Sequence, residues 1–372
     1  MTASLTVSVL SVGLSMLAGW LVPAWAMKRL VPALESGGKS VTNFRGRSVA
    51  QGLGIAWLVL AAGVAALQAI VNYVATAYVA PVPSAESWLT AILATPIMRI
   101  APWLALLVFG AFAFGMVDDV FGDPSARGFR GHLSALAHGR VTTGAVKLFG
   151  IGCVSLLAGL SAMGYAVGGL MQAELAHPLW TLAAWACASL VIALSANLVN
   201  LTDLRPGRAL KSYALLATVG IAIGAWATWA GGDTSPLATQ LVWIGGVKLS
   251  LLALTLGPVL VVWRYDLGER AMLGDAGANA AGALAGFLLA WRSPLWLLAV
   301  LVVVLLALNV ASERVSFSEV IERVGFLRWL DGLGRLPADG PGLEAAHERS
   351  YGVDAGQQGK TDTWKDGGSS HR

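Results

Sequence analysis

The sequence has little charge and almost no cysteine. Only 12% of its 372 residues are Asp, Glu, Lys or Arg, 56% are hydrophobic, and the mean hydropathy is +0.68. A soluble chain of this length needs far more charge to cover its surface, so the composition excludes a soluble protein and predicts an integral membrane protein. The two cysteines, Cys153 and Cys187, both fall inside apolar runs. This excludes a disulfide framework and a thiolate metal site.

Apolar runs of about 20 residues, the length that crosses a bilayer core, recur along the chain. We predict an all-α, polytopic membrane protein with about nine transmembrane helices, near residues 3–27, 49–80, 100–117, 144–170, 179–200, 212–231, 239–263, 276–291 and 294–311. The second of these runs is unusually long. The eighth is short and rich in Ala and Gly.

Lysine and arginine are distributed asymmetrically between the two sets of loops. The first four residues, MTAS, carry no positive charge, and Lys28 and Arg29 follow the first apolar run, which predicts an N-terminus outside and a C-terminus in the cytoplasm. The opposite loops carry only Arg99 and Arg292. The loops on the predicted cytoplasmic side carry Lys28, Arg29, Lys39, Arg45, Arg47, Arg127, Arg130, Arg140, Lys147, Arg205, Arg208, Lys211, Arg264 and Arg270. The whole chain has a net charge of +4, which lies mainly on these cytoplasmic loops. It suits anionic lipid or a phosphorylated substrate and is not a nucleic-acid signature.

The chain divides into a membrane domain and a short C-terminal region. Residues 1–311 form the predicted transmembrane domain, 312–336 an amphipathic helix in the cytoplasmic interface, and 337–372 a disordered cytoplasmic tail rich in Gly, Asp and Ser. The helix would place Val320, Ile321, Val324 and Leu327 in the headgroup boundary. Its Arg323 and Arg328 would face anionic lipid or substrate phosphate.

Three polar clusters fall on the predicted cytoplasmic side of the membrane domain. They are GMVDDVFGD (115–123), SANLVNLTDLRPGRALK (195–211) and MLGDAGANAAGALAG (272–286). Each cluster taken alone has a plain structural interpretation. Helix-end carboxylates are often solvated caps, Asn197 and Asn200 could bond neighbouring helices, and Gly282 and Gly286 form a common packing pair. The coincidence of all three on one face favours a site.

Carboxylates clustered at an interface suit a hard cation such as Mg²⁺, which bridges one or two carboxylates to substrate phosphates. Asp275 stands where the N-cap of the next helix would lie, and free N–H groups at that helix end would favour phosphate. We therefore predict a Mg²⁺-diphosphate site at the membrane surface. The double charge of Asp118 and Asp119 would help to hold the metal.

These clusters resemble the motifs of the polyprenyl-phosphate N-acetylhexosamine-1-phosphate transferases. GMVDDVFGD resembles the first aspartate motif of that family, NLVNLTD its Asn-rich loop, and MLGDAGAN its Gly-Asp loop. GGKSVTNFRGRSVAQGLG (37–54) resembles its first cytoplasmic loop. The four motifs occur in the order that the family has, within residues 1–311.

The resemblance implies Mg²⁺-dependent transfer of a sugar-1-phosphate from a UDP-sugar to polyprenyl phosphate. UMP would be released at the cytoplasmic face of a bacterial plasma membrane, in cell-envelope glycan synthesis. By motif matching, the metal ligands would be Asp275, Asp118 and Asp119, and the catalytic residues Asp118, Asp119 and Asp203. The substrate-binding residues would be Asn197, Asn200, Lys39 and Arg45. The implied partners are the lipid, the nucleotide sugar and the membrane, with no nucleic acid, and a homodimer is left open.

The sequence departs from the family pattern at two points. Pro206 stands where the Asn-rich loop has its second aspartate, and the five histidines form no cluster that would match the family's His-rich motif. An alternative is therefore a non-catalytic relative that binds lipid-linked phosphate or envelope-synthesis partners. A transporter is disfavoured, because it would place ionisable groups near the bilayer midplane rather than at one face.

Overall fold

The chain is mostly helical (82%) in a computed structural model that describes residues 2–74, 96–122, 128–164, 177–230 and 237–336. Three short strands occur among the helices: β1 (Ser40–Thr42), β2 (Ser48–Gln51) and β3 (Ala271–Met272). The helices are α1 (Thr2–Gly37), α2 (Ile55–Val74), α3 (Pro96–Phe121), α4 (Gly128–Ala137), α5 (Thr143–Gly164), α6 (Pro178–Thr202), α7 (Arg208–Ala230), α8 (Leu237–Leu267), α9 (Gly274–Ala290), α10 (Leu295–Ser312), α11 (Phe317–Arg323) and α12 (Gly325–Gly332).

Six helices in the described ranges have the length and apolar composition needed to cross a membrane. They correspond to six of the nine predicted spans: Ile100–Phe121, Thr143–Ala162, Pro178–Thr202, Arg208–Ala230, Gly245–Leu267 and Leu295–Ser312. A mostly helical, multi-pass membrane protein is thus confirmed in this coarser form. The count of nine and the orientation stay predictions.

The first, second and eighth predicted spans are not among these six. Helix α1 extends ten residues beyond the predicted 3–27, and the apolar part of α2 is only Ile55–Ile70, with residues 75–80 outside the described part of the chain. Helix α9 is 17 residues long and buried along its entire length from Ala276 to Ala290. Because neighbouring helices surround it, α9 needs no strongly lipophilic surface, which explains its Ala- and Gly-rich sequence.

Helix α9 is the centre of the bundle and packs closely against α6, α3 and α7. A Cβ atom at Gly282 would lie 2.6 Å from the carbonyl oxygen of Ser195, and one at Gly286 would lie 2.7 Å from the Cα of Ile192. Only glycine permits α6 and α9 to approach this closely. The packing interpretation of the two glycines is therefore confirmed.

A small three-stranded sheet covers one end of the bundle, and the sequence did not predict it. Strand β1 pairs antiparallel with β2, and β2 pairs in parallel with β3, with Gln51 opposite Met272. Gly274, at φ +71°, then turns the chain from β3 into α9. The sheet brings the 37–54 loop against the start of α9.

The C-terminal segment forms two short helices instead of one. Val324 has extended backbone angles (φ −92°, ψ 111°) and separates α11 from α12, with Gly325 opening the second helix. Glycine is a poor residue for a helix interior, which accounts for the break at this point. The predicted tail at 337–372 lies outside the described residues.

Candidate functional site

Four aspartates from three parts of the chain meet at the end of the bundle that carries the sheet. Asp118 and Asp119 lie in the last turn of α3, Asp203 directly follows α6, and Asp275 lies in the first turn of α9. Their contacts with one lysine and with the start of α9 join them into one cluster. Asp123, the third carboxylate of the first motif, lies outside the described residues.

Lys147 is the centre of this cluster. Its Nζ lies 2.5 Å from Asp118 Oδ2 and 2.5 Å from Asp275 Oδ2, and only 11% of its side chain is exposed. The Thr143 hydroxyl, one turn earlier in α5, donates a 2.7 Å hydrogen bond to the other oxygen of Asp118. The two carboxylates therefore share a single cationic group.

Asp119 caps a helix to which it does not belong. Its Oδ1 accepts a hydrogen bond from the backbone N–H of Asp275 and its Oδ2 one from Ala276, both at 2.9 Å, and Gln51 Nε2 donates to Oδ1 at 2.7 Å. Asp203 Oδ2 accepts from the backbone N–H of Gly274 at 2.9 Å. The free N–H groups at the start of α9 are thus bonded to carboxylates of the protein.

This arrangement corrects one expectation from the sequence. Asp275 is not the N-cap of α9: the helix begins at Gly274, the capping position is Leu273, and no side chain at that position caps the helix. Because Asp119 and Asp203 already bind the N–H groups that were expected to bind phosphate, an incoming phosphate would have to be bound by side chains instead. The positive end of α9 is neutralised within the protein.

Asp203 lies in an environment that disfavours its charge. Burial raises the pKa of Asp203 well above its ordinary value, and the nearby charge of Asp266 raises this pKa further. The hydrogen bond from the Gly274 N–H acts in the opposite direction but does not outweigh burial. Asp203 is therefore a carboxyl group that holds its proton to a higher pH than an ordinary aspartate.

The four predicted substrate-binding residues lie at different distances from the cluster. The exposed Lys39 contacts it directly, because its Nζ donates to the backbone carbonyl of Asp119. Arg45 forms a 3.1 Å ion pair with Glu269 and lies over the Phe44 ring.

The two asparagines behave differently from each other. Asn197 donates a 2.6 Å hydrogen bond to Asn309 of α10, so it joins two helices, as the structural interpretation of this residue proposed. The side-chain oxygen of Asn200, one turn before Asp203, is buried without a hydrogen-bond partner among the described residues. Asn200 therefore retains an unused acceptor near the cluster.

A cavity of about 280 Å³ opens beside the aspartates. Gln51 and Asp203 belong both to its wall and to the cluster, and Phe44, Asn43 and Glu269 also line it. The exposed Phe44 ring offers an aromatic face, with the Arg205 guanidinium 5.3 Å from its centre. The cavity is large enough for part of a small polar ligand next to the carboxylates.

Sequence reasoning missed Lys147, Thr143 and Gln51. Lys147 was counted only as a basic loop residue, although it falls within the predicted 144–170 span. A lysine one turn inside an apolar run is a signal for a paired intramembrane charge. The pairing itself, with residues 29 positions earlier and 128 positions later, leaves no local pattern.

The donor set fits the Mg²⁺ that the resemblance implies. Within the described ranges no three His, Cys, Asp or Glu side chains are grouped as a metal site. Asp118 and Asp275 nevertheless converge on one cationic position, now held by Lys147, and Mg²⁺ needs only one or two carboxylates when water and phosphate complete its shell. Asp119 is engaged in capping α9 and is less suited as a ligand.

Comparison with known proteins does not assign the chain to a family. No protein-family model matches it, and no curated protein matches its sequence. The likeness to the sugar-1-phosphate transferases therefore rests on the ordered motifs and on the residues that carry them.

Proposed function

We propose that this protein transfers a sugar-1-phosphate from a UDP-sugar to polyprenyl phosphate at the cytoplasmic face of a bacterial plasma membrane. The lipid phosphate oxygen attacks the β-phosphorus of the nucleotide sugar, the bond from that phosphorus to the bridging oxygen breaks, and UMP leaves. One phosphate anhydride replaces another, so the reaction requires positioning and charge neutralisation more than covalent chemistry.

The observation that carries the proposal is the convergence of Asp118 and Asp275 on the Lys147 ammonium. The motifs that supply these aspartates are 157 positions apart in the sequence and were matched to the family separately. A cationic position between two carboxylates, at the end of a membrane bundle, suits a diphosphate and a metal ion together.

Each member of the cluster has a role in this proposal. Asp118 and Asp275 would hold Mg²⁺, which would neutralise the charge of the diphosphate. Lys147, displaced from the carboxylates, would bind a phosphate oxygen as a point charge. Asp119 would keep the start of α9 in position through its backbone hydrogen bonds, and Asp203, which bonds the Gly274 N–H, would present its carboxyl group to the ligand from the wall of the cavity.

The cavity beside the cluster would take the nucleotide part of the donor. Its Phe44 ring could stack on a base, and Asn43 could contribute polar contacts. Arg45 would act indirectly, by neutralising Glu269 in the wall of this cavity. The lipid phosphate would then approach from the membrane side of Lys147.

We also propose the finer topology that this function requires. The chain would cross the membrane nine times, with α1, α2 and α9 as the additional spans, an outside N-terminus and a cytoplasmic C-terminus. The asymmetry of the basic loops supports this orientation. Cysteine accessibility at exposed Lys28 and at Trp180, tested from each side of sealed vesicles, would check it.

A non-catalytic relative that binds lipid-linked phosphate is the second candidate. The observation in its favour is that Lys147 already neutralises both carboxylates, so the cluster is stable without a metal. Pro206, in place of the second aspartate of the loop, favours the same alternative.

One assay separates the two candidates. Purified full-length protein is incubated with undecaprenyl phosphate, MgCl₂ and several UDP-N-acetylhexosamines, and UMP release is measured with and without EDTA. The transferase proposal expects EDTA-sensitive UMP release, abolished by Asp118→Asn and retained by Glu319→Gln, a change at an exposed carboxylate. Binding of the lipid phosphate without UMP release from any donor would support the non-catalytic relative.

A further inference from the structure

The C-terminal helices α11 and α12 expose an apolar surface that no other described part of the chain covers. The Phe326 and Trp329 side chains are the most exposed, at 66% and 60%. Their rings lie 5.9 Å apart, so the two largest groups form one patch. The exposed apolar residues of this surface are Val320, Val324, Phe326, Trp329, Leu330 and Leu333. A patch of this kind indicates an interaction surface.

The same segment is bound tightly to the start of α7 through Arg208. The Arg208 guanidinium, 4% exposed, donates to both carboxylate oxygens of Asp331 at 3.0 and 2.9 Å and to the Ser318 hydroxyl at 2.8 Å. One arginine therefore binds both short helices. Lys211 adds hydrogen bonds to the backbone carbonyls of Leu330 and Asp331.

Further contacts extend from this segment to the loop that carries Asp203. Arg335 donates to the backbone carbonyl of Pro206 at 3.0 Å and to Asp331 at 2.8 Å, and Arg205 is paired with Glu322. A continuous chain of contacts thus connects the exposed apolar surface to the candidate site. The loop 203–207 between α6 and α7 is held on one side by the Asp203–Gly274 hydrogen bond and by the Gly207 N–H, which donates to Asp266 Oδ2 at 2.7 Å. The contacts with the C-terminal segment hold its other side, at Arg205 and Pro206.

The lipid–water interface is the occupant that best fits the exposed surface. Helix α10 ends at Ser312 and α11 begins at Phe317, so the connection reaches at most about 17 Å from the end of an apolar helix of membrane-spanning length. Tryptophan and phenylalanine beside arginine are typical of interfacial helices.

The charge of the segment argues against a specific requirement for anionic lipid. Residues 313–336 contain four arginines and four acidic residues, so their net charge is zero. Arg323 lies 3.9 Å from Glu319, and Glu322 and Asp331 are paired with arginines. Apolar contact, more than charge, would hold the segment on the membrane.

We propose that α11 and α12 lie in the headgroup region of the leaflet on the side of the candidate site, and that the Arg208–Asp331 pair transmits this membrane contact to the loop of Asp203. Arg208 and Asp331 are then positioning residues, and the partner is the lipid surface. The inference concerns membrane contact and loop order, so it does not depend on the transferase proposal.

The membrane contact is tested by the depth of nitroxide labels in the full-length protein. In a Cys153→Ala/Cys187→Ala background, a label is attached through Trp329→Cys or, as the polar control, through Glu319→Cys. In vesicles of neutral phosphatidylcholine, we expect the label at position 329 to be accessible to oxygen and shielded from a water-soluble nickel reagent. The label at position 319 should be accessible to the nickel reagent.

Two results would overturn the membrane contact. Equal nickel accessibility at both positions would show that the surface faces water. Shielding at position 329 from both reagents, or shielding that disappears on dilution of the protein in lipid, would show that a protein surface or a second copy of the chain covers it.

The coupling is tested by the mobility of a label at Leu204→Cys, an exposed position next to Asp203. We expect Asp331→Asn to raise the mobile fraction of the loop about tenfold, because charged hydrogen bonds shift an equilibrium by at least that factor. The double variant Phe326→Ser/Trp329→Ser should also raise the mobile fraction of the loop in vesicles. Asp331→Glu, which keeps the carboxylate, should raise this fraction less than Asp331→Asn does.

The matched control is Trp180→Ser. Trp180 is 57% exposed at the start of α6, roughly 35 Å along that helix from Asp203, and its loss should leave the label unchanged. Circular dichroism and gel filtration establish that each variant is folded. An immobile loop in folded Phe326→Ser/Trp329→Ser protein would refute the coupling, even if Asp331→Asn mobilised the loop.

Discussion

Replacing Lys147 with methionine removes the charge at the centre of the cluster while preserving most of the side-chain length. Asp118 Oδ2 and Asp275 Oδ2 each lie 2.5 Å from the lysine nitrogen, so these two oxygens lie at most about 5 Å apart. Two carboxylates at that distance repel each other by about 3 kcal/mol at an effective dielectric constant of 20. This agrees with the lower end of the cost of removing one partner from a buried ion pair, about 3–5 kcal/mol. Because Asp275 is one-third exposed, we expect the lower value.

The predicted loss is measurable as a shift in the midpoint of thermal unfolding. At roughly 2 °C per kcal/mol for a large chain, Lys147→Met should lower the midpoint by about 6 °C in EDTA. The 15 tryptophans of the chain provide the fluorescence signal. Added MgCl₂ should stabilise the Lys147→Met variant more than the wild type, because the two carboxylates then bind the cation without competition from an ammonium group.

A double-mutant comparison separates charge repulsion from loss of packing. Asp118→Asn/Lys147→Met removes one carboxylate charge as well, so its midpoint should lie above that of Lys147→Met alone. Lys28→Met, at an exposed lysine of α1, is the matched control and should leave the midpoint unchanged. If Lys147→Met unfolded at the wild-type temperature in EDTA, or if the second substitution brought no recovery, the ammonium would not lie between the two carboxylates.

Three further predictions follow from the same geometry. Asp275→Asn should lose at least tenfold in Mg²⁺ affinity by titration calorimetry while keeping its fold, and an unaltered affinity would exclude Asp275 as a ligand. Asn197→Ala should lower the unfolding midpoint, because it breaks a helix–helix hydrogen bond worth about 1 kcal/mol, without changing donor affinity; a weakened donor affinity would place this side chain in the site. Asp203→Asn should stabilise the protein at neutral pH. Burial raises the pKa of Asp203 in the folded state, so the free energy of unfolding of the wild type falls as the pH rises above about 4, the ordinary pKa of an aspartate. The asparagine variant does not titrate and therefore lacks this loss. Equal unfolding midpoints of wild type and variant from pH 4 to pH 8 would contradict the prediction.

The location of the aspartates could be predicted from the sequence because it follows from helix length and loop charge. Apolar runs of membrane-spanning length alternate in direction, so Asp118, Asp203 and Asp275 had to lie at the same end of the bundle. The packing role of Gly282 and Gly286 could also be predicted, because two glycines four residues apart on one helix allow a neighbouring helix to approach closely. Both inferences depend on local pattern, and the structure agrees with them.

The contacts inside the cluster could not be predicted, because they join residues without a shared pattern. Nothing near Asp119 in the sequence indicates that it caps α9, since the capped N–H groups lie 156 and 157 positions away. Strands of two to four residues are too short for an alternating pattern to be recognised. The break at Val324 interrupts a helical period that continues through it, so the segment was predicted as a single helix.

The position of Lys147 between the two carboxylates bears on both candidate functions. In its present position it satisfies two carboxylates that would otherwise repel each other, and it does so where a divalent cation would bind. If the protein is catalytic, Asp118 and Asp275 would have to release the ammonium group in order to hold Mg²⁺, and Lys147 would then be available to bind a phosphate oxygen. A non-catalytic protein would need no such exchange, because the ammonium group has three donors and Lys147 could bind a phosphate oxygen while it stays between the two carboxylates. The shift in unfolding midpoint that MgCl₂ causes in Lys147→Met, compared with the shift in the wild type, measures how strongly the lysine competes with Mg²⁺ for the two carboxylates.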